Sequence, residues 1–155
     1  MTFKIIRLLH LLNYLLIAAQ VLFYLFALSD ALELLRIEHF LEFRKSVDKV
    51  IVGRLTFAYY SCLALSLLTL VVSIKQGDAV FMVTTALALL CLLGDLIIAV
   101  KGNIPLNHLI NAGGPHMDWH VIRARWLCYI NYRGILITVG MLSLFVGLLF
   151  GSKSS

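Results

Sequence analysis

Long apolar runs alternate with shorter polar segments along this chain. Four runs, at about 5–28, 51–74, 79–100 and 126–150, are each long enough to cross a bilayer as a helix, which takes about 20 apolar residues. The tetrapeptide KQGD at 75–78 separates the second run from the third and is typical of a turn, so these spans are expected to be antiparallel neighbours. The pattern predicts an all-α, integral membrane four-helix bundle that forms one domain over residues 1–155.

Residues 29–49 follow a different pattern from the four runs. Apolar side chains recur there at roughly helical spacing with acidic and basic residues between them, at Leu32, Leu35, Phe40, Phe43 and Val47. This spacing predicts an amphipathic helix between the first and second spans, lying at the membrane interface or over the mouth of the bundle. His39 and Glu42 are three residues apart and would share one turn, an arrangement more often found on a solvated polar face than in a site.

Composition excludes the soluble classes. Hydrophobic residues make up 61% of the chain, charged residues only 14%, and the mean hydropathy is +0.96, far from the balance of a soluble domain. The net charge of +5 is spread over several loops with no basic stripe, so the expected partner is the lipid bilayer and not nucleic acid. Cys62, Cys91 and Cys128 lie in apolar runs, which predicts buried, unreactive thiols without a disulfide framework.

The distribution of basic residues near the span ends predicts the orientation. One side of the membrane carries the two long loops and most of the basic residues, namely Arg36, Arg44, Lys45, Lys49, Arg54, Lys101, Arg123, Arg125 and Arg133. The other side carries Lys4, Arg7, Lys75 and Lys153. Because cytoplasmic loops are enriched in Lys and Arg, the long loops are expected in the cytoplasm and both termini outside, in the cell membrane.

Residues 101–133 concentrate the polar groups of an otherwise apolar chain. Both prolines, both tryptophans and three of the five histidines lie there, and polar groups concentrated in a membrane protein point by default to a function. Pro105 predicts an extended Ile104 and a rigid turn that carries Asn103 and Asn107. Pro115 is suited to the first turn of a helix that resumes near His116.

Helical spacing brings several of these residues together. Trp119, Arg123, Trp126 and Arg133 fall near one face of a helix, and His120 and Asn131 share a neighbouring face. Asp95 lies near the end of the third run, where an unpaired carboxylate would be costly, so we expect it to contact Arg54, Arg123 or Arg133. Such a pair would belong to a functional site or would be a purely structural ion pair between helices.

Two further patterns carry weaker predictions. His116 and His120 are four residues apart and could both ligate a metal from one helical face, although neither an HExxH motif nor a third ligand accompanies them. At the end of the chain, a small-residue face allows close approach of another helix, formed by Gly140, Ser143, Gly147 and Gly151.

The polar motifs together resemble the anthrone oxygenase-like family. They are NIPLN at 103–107, DW at 118–119, RARW at 123–126, Asn131, Arg133 and, after the first span, SDAL at 29–32, where family members often have proline in place of Asp30. The family consists of small four-span membrane proteins, many of unknown function. Some members oxidise anthrones to anthraquinones with dioxygen, and no cofactor is established for them. The resemblance implies candidate-site roles for Asn103, Asn107, Trp119, Arg123, Trp126, Asn131 and Arg133, and it leaves the cofactor unknown.

The leading hypothesis is an oxidoreductase-like membrane enzyme that binds a flat, apolar, aromatic or quinone-like molecule. Trp119 and Trp126 would provide stacking surface, and Arg123 or Arg133 would stabilise a developing oxyanion. Asn103, Asn107 and Asn131 would orient the molecule, with His120 or Asp95 as the base. We therefore expect one cavity to be lined by the two tryptophans, the two arginines and Asn131, together with Asn103 or Asn107.

Two alternatives remain open on the sequence alone. In one, the protein is not an enzyme and the polar cluster only locks the four helices together and anchors them at the interface. In the other, the chain is a subunit or accessory of a larger membrane complex and packs through the small-residue face of the last span. A homo-oligomer is left open as well.

Overall fold

The computed structural model describes residues 2–114 and 117–151, and this part of the chain is all-helical without strands. Its helices are α1 (Thr2–Phe23), α2 (Ser29–Leu34), α3 (Ile37–Gln76), α4 (Ala79–Ile98), α5 (Ile104–Ala112) and α6 (Trp119–Phe150). A π-helical segment, Tyr24–Leu28, joins α1 to α2, and a second one, Ala99–Asn103, joins α4 to α5.

These elements merge into four long helices. They are Phe3–Leu34, Ile37–Gln76, Ala79–Ala112 and Trp119–Phe150, and each is long and apolar enough to cross a membrane. The four predicted spans are therefore confirmed as helices, and the architecture is compatible with an integral membrane protein. Many large apolar side chains on their outer faces are exposed, among them Phe26, Phe57 and Leu149, as expected of helices in contact with lipid.

Residues 37–49, predicted to lie in a separate helix, form the first turns of α3. The helix runs without interruption from this segment into the second span. The preceding break is short: Leu35 and Arg36 adopt extended backbone angles, with ψ of 148° and 146°. The surface salt bridge between His39 and Glu42 is present at 3.8 Å and both side chains are largely exposed, so it belongs to a solvated face.

The third long helix continues past its predicted end at residue 100. Ile104 is helical, with φ −63° and ψ −48°, so the expectation of an extended residue before Pro105 is wrong. The π-helical segment explains the difference, because Ile104 N–H bonds to the Ala99 carbonyl five residues back and the wider turn accommodates the proline ring. Asn103 and Asn107 consequently project from one helical face instead of from a turn.

Turn chemistry fixes the ends of the connections. Gly77 adopts a left-handed conformation at φ 68° and closes α3, and Asp78 then caps α4 by accepting from the Phe81 N–H. At the other end of the bundle, Asp118 caps α6 by accepting from the N–H groups of His120 and Val121. The predicted helix start near Pro115 and His116 lies outside the described residues, and α6 begins at Trp119.

The small-residue face of α6 packs inside the bundle. A Cβ at Gly140 would overlap the Tyr14 hydroxyl, and one at Gly147 would overlap the Thr84 side chain. Close packing of α6 against α1 and α4 therefore occupies this face within the bundle.

The cysteine prediction is confirmed only in part. Cys62 and Cys91 are buried, but Cys128 is exposed, because it lies on the outward side of α6. Position 128 is rotated by about 160° from the buried Trp126 and Ile130 side of the helix when each residue turns about 100°.

Candidate functional site

The buried ion pair between Asp95 and Arg133 is the centre of the polar site. Arg133 Nε donates to Asp95 Oδ1 at 2.7 Å, and Asp95 is fully buried. The predicted pairing of Asp95 is therefore confirmed, with Arg133 as the partner among the three candidates. Arg54 is exposed on α3, and Arg123 Nη1 instead donates to the Leu35 carbonyl at 2.7 Å.

The other nitrogens of Arg133 also bond to protein groups. Nη2 donates to the Tyr59 hydroxyl at 3.0 Å, and Nη1 donates to Asn103 Oδ1 at 3.4 Å. Asn103 in turn donates from Nδ2 to the Trp126 carbonyl at 3.1 Å. The guanidinium thus links α3, α4, the second π-helical segment and α6, and each of its nitrogens has an acceptor within the bundle.

A second polar group, which we call the mouth cluster, consists of Arg44, Asp48, Asn107, Asn111 and Trp126. Asn107 Oδ1 accepts from Trp126 Nε1 at 2.8 Å and from Arg44 Nη2 at 3.2 Å. Asp48 accepts from the side-chain amides of Asn107 and Asn111 at 3.2 and 2.7 Å, and lies 3.8 Å from Arg44 Nη2. The Arg44 guanidinium stacks 4.3 Å from the centre of the Trp126 ring.

A cavity of about 480 Å³ extends from the mouth cluster to Arg133 and Tyr59. Most of its lining is apolar, and α3, α4, α5 and α6 all contribute side chains to it. The exposed lining residues all belong to α3 and to the third long helix: Val52, Thr56, Tyr60, Val100, Ile104 and His108. The cavity therefore opens sideways between these two helices.

Both π-helical segments border the cavity. Tyr24 from the first segment lines it, as do Ala99, Val100 and Asn103 from the second. A π-helical turn inserts an extra residue into a helix and shifts the faces that follow, and such turns are frequent at functional sites. Here the second segment turns Asn103 toward Arg133 while Asn107 still faces the mouth cluster.

The cavity brings together part of the predicted site. Asn103, Asn107, Trp126 and Arg133 line it, as expected. Asp95 lies behind Arg133 and, in the described part of the chain, is not one of the lining residues.

Trp119, Arg123 and Asn131 are not among the residues that line this cavity. Asn131 is two residues from Arg133, so the two side chains leave α6 in directions about 160° apart. Asn131 instead accepts from Ser29 Oγ at 2.8 Å. Trp119 is half-buried near the start of α6, away from the lining, and His120 in the first turn is exposed.

Residues that sequence reasoning did not select also line the cavity. They include Gln20, Tyr24, Arg44, Asp48, Tyr59 and His108. Gln20 was detectable as a polar residue in the middle of an apolar run, since such residues usually face other helices. Arg44 and Asp48 carried no such signal, because charges four residues apart are typical of a solvated helix face.

The histidines do not form a metal site with other described residues. Within residues 2–114 and 117–151, no group of three or more His, Cys, Asp or Glu is placed to hold a metal ion. Of the suggested pair of His116 and His120, only His120 belongs to the described residues. His10 is buried on α1, where its Nε2 hydrogen-bonds with Ser66 Oγ at 2.8 Å and joins α1 to α3.

Known proteins give no independent guide to this site. Comparison of the chain with protein-family models, with curated proteins and with solved structures finds no match.

Proposed function

We propose that this integral membrane protein binds a flat, apolar, aromatic or quinone-like small molecule in the cavity between α3 and the other long helices. The sideways opening of the cavity carries the proposal. Exposed Val52, Tyr60 and Val100 form its rim, and in a bilayer such apolar side chains face lipid. A molecule dissolved in the membrane could reach the cavity between the helices without crossing water.

The size and the polar groups of the cavity fit such a ligand. A volume of about 480 Å³ lies within the range of about 300–1,000 Å³ that small-molecule sites occupy. Aromatic rings of Tyr24, Tyr59 and Trp126 contribute to the wall, and rings of this kind pack well against a flat ligand. Arg44 and Asn107 provide polar groups at one end that can orient an oxygen atom of the ligand.

The resemblance to anthrone oxygenase-like proteins supplies the proposed reaction. Removal of a proton from the methylene carbon of an anthrone leaves a stabilised anion, to which dioxygen adds to form a hydroperoxide. Loss of water then gives the second ketone, so one anthrone and one dioxygen yield one anthraquinone and one water. Of the two sequence candidates for the base, His120 is exposed at the start of α6 and Asp95 is held by Arg133. His108 is the imidazole at the rim of the cavity, which makes it the better placed base.

A purely structural role for the polar residues is the second candidate function. It is favoured by one observation: every nitrogen of the Arg133 guanidinium already bonds to the protein. In this alternative, Asp95 and Arg133 lock the helices and the cavity is filled by lipid.

We also infer that the end of the bundle with the mouth cluster faces the cytoplasm. Seven of the nine basic residues assigned to this side remain after Arg44 and Arg133 are set aside as buried and ion-paired, and Arg7 on the opposite side is paired with Asp78. This end of the bundle therefore still carries more basic residues than the opposite end, and such an excess sets the orientation.

Quenching of tryptophan fluorescence tests the proposed binding. In a Trp119→Phe protein, Trp126 is the remaining tryptophan and it lines the cavity, so titration with anthraquinone in lipid discs reports binding there. Ala99→Leu adds volume to a lining position and should weaken binding at least about tenfold, because a rigid ring system cannot change shape to fit beside the larger side chain. Ala124→Leu makes the same substitution at an exposed position of α6 and should leave binding unchanged.

Equal quenching in both variants would show that the quinone binds elsewhere. The reaction is tested separately with anthrone, by measuring whether dioxygen uptake matches anthraquinone formation in the presence of folded protein. Binding without turnover would leave a ligand-binding protein and remove the enzymatic part of the proposal.

A further inference from the structure

The cavity is long in one direction, along α3. Its lining residues on α3 recur every three or four positions from one end to the other, at Arg44, Asp48, Ile51, Leu55, Tyr59 and Leu63. Nineteen residues separate Arg44 from Leu63, which corresponds to about 28 Å at the helical rise of 1.5 Å per residue. A fused three-ring molecule is much shorter than this stripe and would occupy only one part of it.

The polarity of the cavity changes along the same direction. Arg44 and Asp48 lie at one end, and Leu63 lies at the other. Between them, Tyr59, Asn103 and Arg133 also line the wall, with their polar groups bonded to one another. Residues 55–74 of α3 carry no charge, and this length matches the hydrocarbon thickness of a bilayer. The polar end therefore lies near the membrane interface and the apolar end within the hydrocarbon region, which is how an amphiphile is oriented in a membrane.

The opening of the cavity runs alongside this axis. Its exposed rim extends over two turns of α3, from Val52 to Tyr60, and over the facing positions Val100 and Ile104. A flexible chain could therefore enter sideways from the bilayer over about 12 Å of α3, at 1.5 Å per residue, without threading through a narrow end.

The polar end contains a buried arginine. The Arg44 side chain is only 5% exposed, and its Nε has no hydrogen-bond partner among the described residues. A buried donor without a partner is unfavourable, and Arg44 lines the cavity. Nε is enclosed by protein atoms, so a ligand oxygen at this end meets instead the side chain of Asn107, which also lines the cavity.

We infer that the ligand is a single-chain amphiphile: a quinone-like ring with acceptor oxygens at the mouth cluster, and a long apolar chain that runs along α3 toward Leu63. This inference rests on the proposed function, because the ring is the ligand proposed above. It adds a chain to that ring, and an anthraquinone without a chain would fill only the part of the cavity that the ring occupies. The membrane-soluble class that combines these features is that of quinones with an alkyl or isoprenoid tail.

Two probes with the same ring separate the chain from the head. One is a benzoquinone with a decyl chain, and the other has a methyl group in place of the chain. Binding to Trp119→Phe protein in lipid discs is measured by quenching of Trp126. The dissociation constant is expressed as moles of probe per mole of lipid, so that the difference in membrane partition between the two probes cancels. We expect the decyl probe to bind about tenfold more tightly, because its chain gains packing contacts with the groove that lipid alone does not give.

Variants at the apolar end test where the chain lies. Leu63→Phe should remove most of the tenfold advantage of the decyl probe and leave the methyl probe unaffected, and Leu96→Phe should do the same from α4. Leu67→Phe is the control, because Leu67 is exposed one turn further along α3. Should Leu63→Phe fail to fold, Leu96→Phe makes the same measurement from the facing helix.

The outcomes separate the inference from the proposed function. If both probes bind equally tightly and the variants at the apolar end change neither, the tail inference is overturned while the ring site stands. If neither probe binds, the proposed function itself is overturned. Loss of the decyl advantage in the Leu67→Phe control would also overturn the inference, since the chain would then lie on the outer surface of α3.

Discussion

Arg133 on α6 donates from Nε to Oδ1 of Asp95 on α4 over 2.7 Å, and both side chains are buried in the bundle. The charges lie within helices that are long and apolar enough to span a membrane, where an unpaired ion is costly. Because Arg133 also bonds to Tyr59 on α3 and to Asn103, the pair fixes the positions of three long helices. It thereby shapes the wall of the cavity that Arg133 lines.

Breaking the pair from one side should destabilise the protein strongly. Asp95→Leu or Arg133→Met alone leaves an uncompensated buried charge, and we expect a loss of about 3–5 kcal/mol in the free energy of unfolding. The double variant Asp95→Leu/Arg133→Met removes both charges and should recover most of this loss. Reversible unfolding in mixed micelles, followed by circular dichroism, gives the three values. A double variant whose loss equals the sum of the single losses would show that the two residues are not energetically coupled.

Arg133→Lys distinguishes a structural arginine from one that contacts the ligand. Lysine keeps a positive charge opposite Asp95 but cannot also reach Tyr59 and Asn103 in the fixed geometry of a guanidinium. We expect the free energy of unfolding to fall by about 1–3 kcal/mol, since two hydrogen bonds are lost. Quinone binding, measured by quenching of Trp126, should change less than threefold.

Arg44→Lys is the matched substitution at the mouth cluster. It removes the planar guanidinium that stacks on Trp126 and donates to Asn107, so it should weaken quinone binding about tenfold if these contacts hold the polar end of the cavity in shape. The opposite pattern, with a large effect of Arg133→Lys and none of Arg44→Lys, would move the oxygen-binding end of the site to Arg133.

The close packing of α6 can be tested at Gly140. A Cβ there would meet the Tyr14 hydroxyl and Cys91 Cβ, so Gly140→Ala should lower the free energy of unfolding by about 1–3 kcal/mol through overpacking. Tyr14→Phe in the same chain removes the hydroxyl oxygen and should recover part of the loss, although it also removes the bond from that hydroxyl to the Ala88 carbonyl.

Gly53→Ala is the control for the intrinsic effect of alanine in a helix. Nothing lies within 4 Å of a Cβ at Gly53, and alanine favours the helix by about 0.5–1 kcal/mol over glycine. The control should therefore be stabilising. A Gly140→Ala protein as stable as Gly53→Ala would mean that α6 can move away from α1 without loss.

The four long helices were predictable because run length and hydropathy alone indicate them. Their true ends were not. Residues 37–49 and 104–112 continue helices beyond the apolar runs, since a polar segment can remain helical whenever its backbone bonds are kept and part of its surface is buried. Phe40 and Ile110 provide that burial, together with Trp126. Pro105 misled the prediction because a π-helical turn, which no simple sequence pattern indicates, absorbs it.

Part of the site was visible in the sequence for a similar reason. A carboxylate within an apolar run requires a partner, so Asp95 predicted a buried arginine, and Asn103 and Asn107 followed from the polar segment around it. The partner could not be selected from three arginines without the depth of each helix. Arg44 and Asp48 could not be identified from the sequence, because their spacing is that of a solvated helix face. They belong to a buried cluster only because α5 and Trp126 pack over this part of α3.

The break between α2 and α3 gives the last prediction. The Leu35 carbonyl lies just after the end of α2, and Arg123 Nη1 on α6 donates to it at 2.7 Å. Arg123→Ala leaves this carbonyl to water, so the free energy of local opening should fall by about 1 kcal/mol. Amide hydrogen exchange should then speed up several-fold over residues 30–40, with little change in the core of α4.

The charge of Arg123 can be separated from its hydrogen bond with two controls. Arg125→Ala removes a neighbouring exposed arginine and should leave exchange over residues 30–40 unchanged. Arg123→Lys keeps the charge and a donor, so it should restore part of the protection if the side chain reaches the carbonyl. If exchange also becomes faster in Arg125→Ala, the effect comes from the loss of positive charge at this end of α6 and not from the loss of the hydrogen bond. Unchanged exchange in Arg123→Ala would show that Leu32 and Phe40, both buried in the same apolar cluster, hold the break in place without the bond to Arg123.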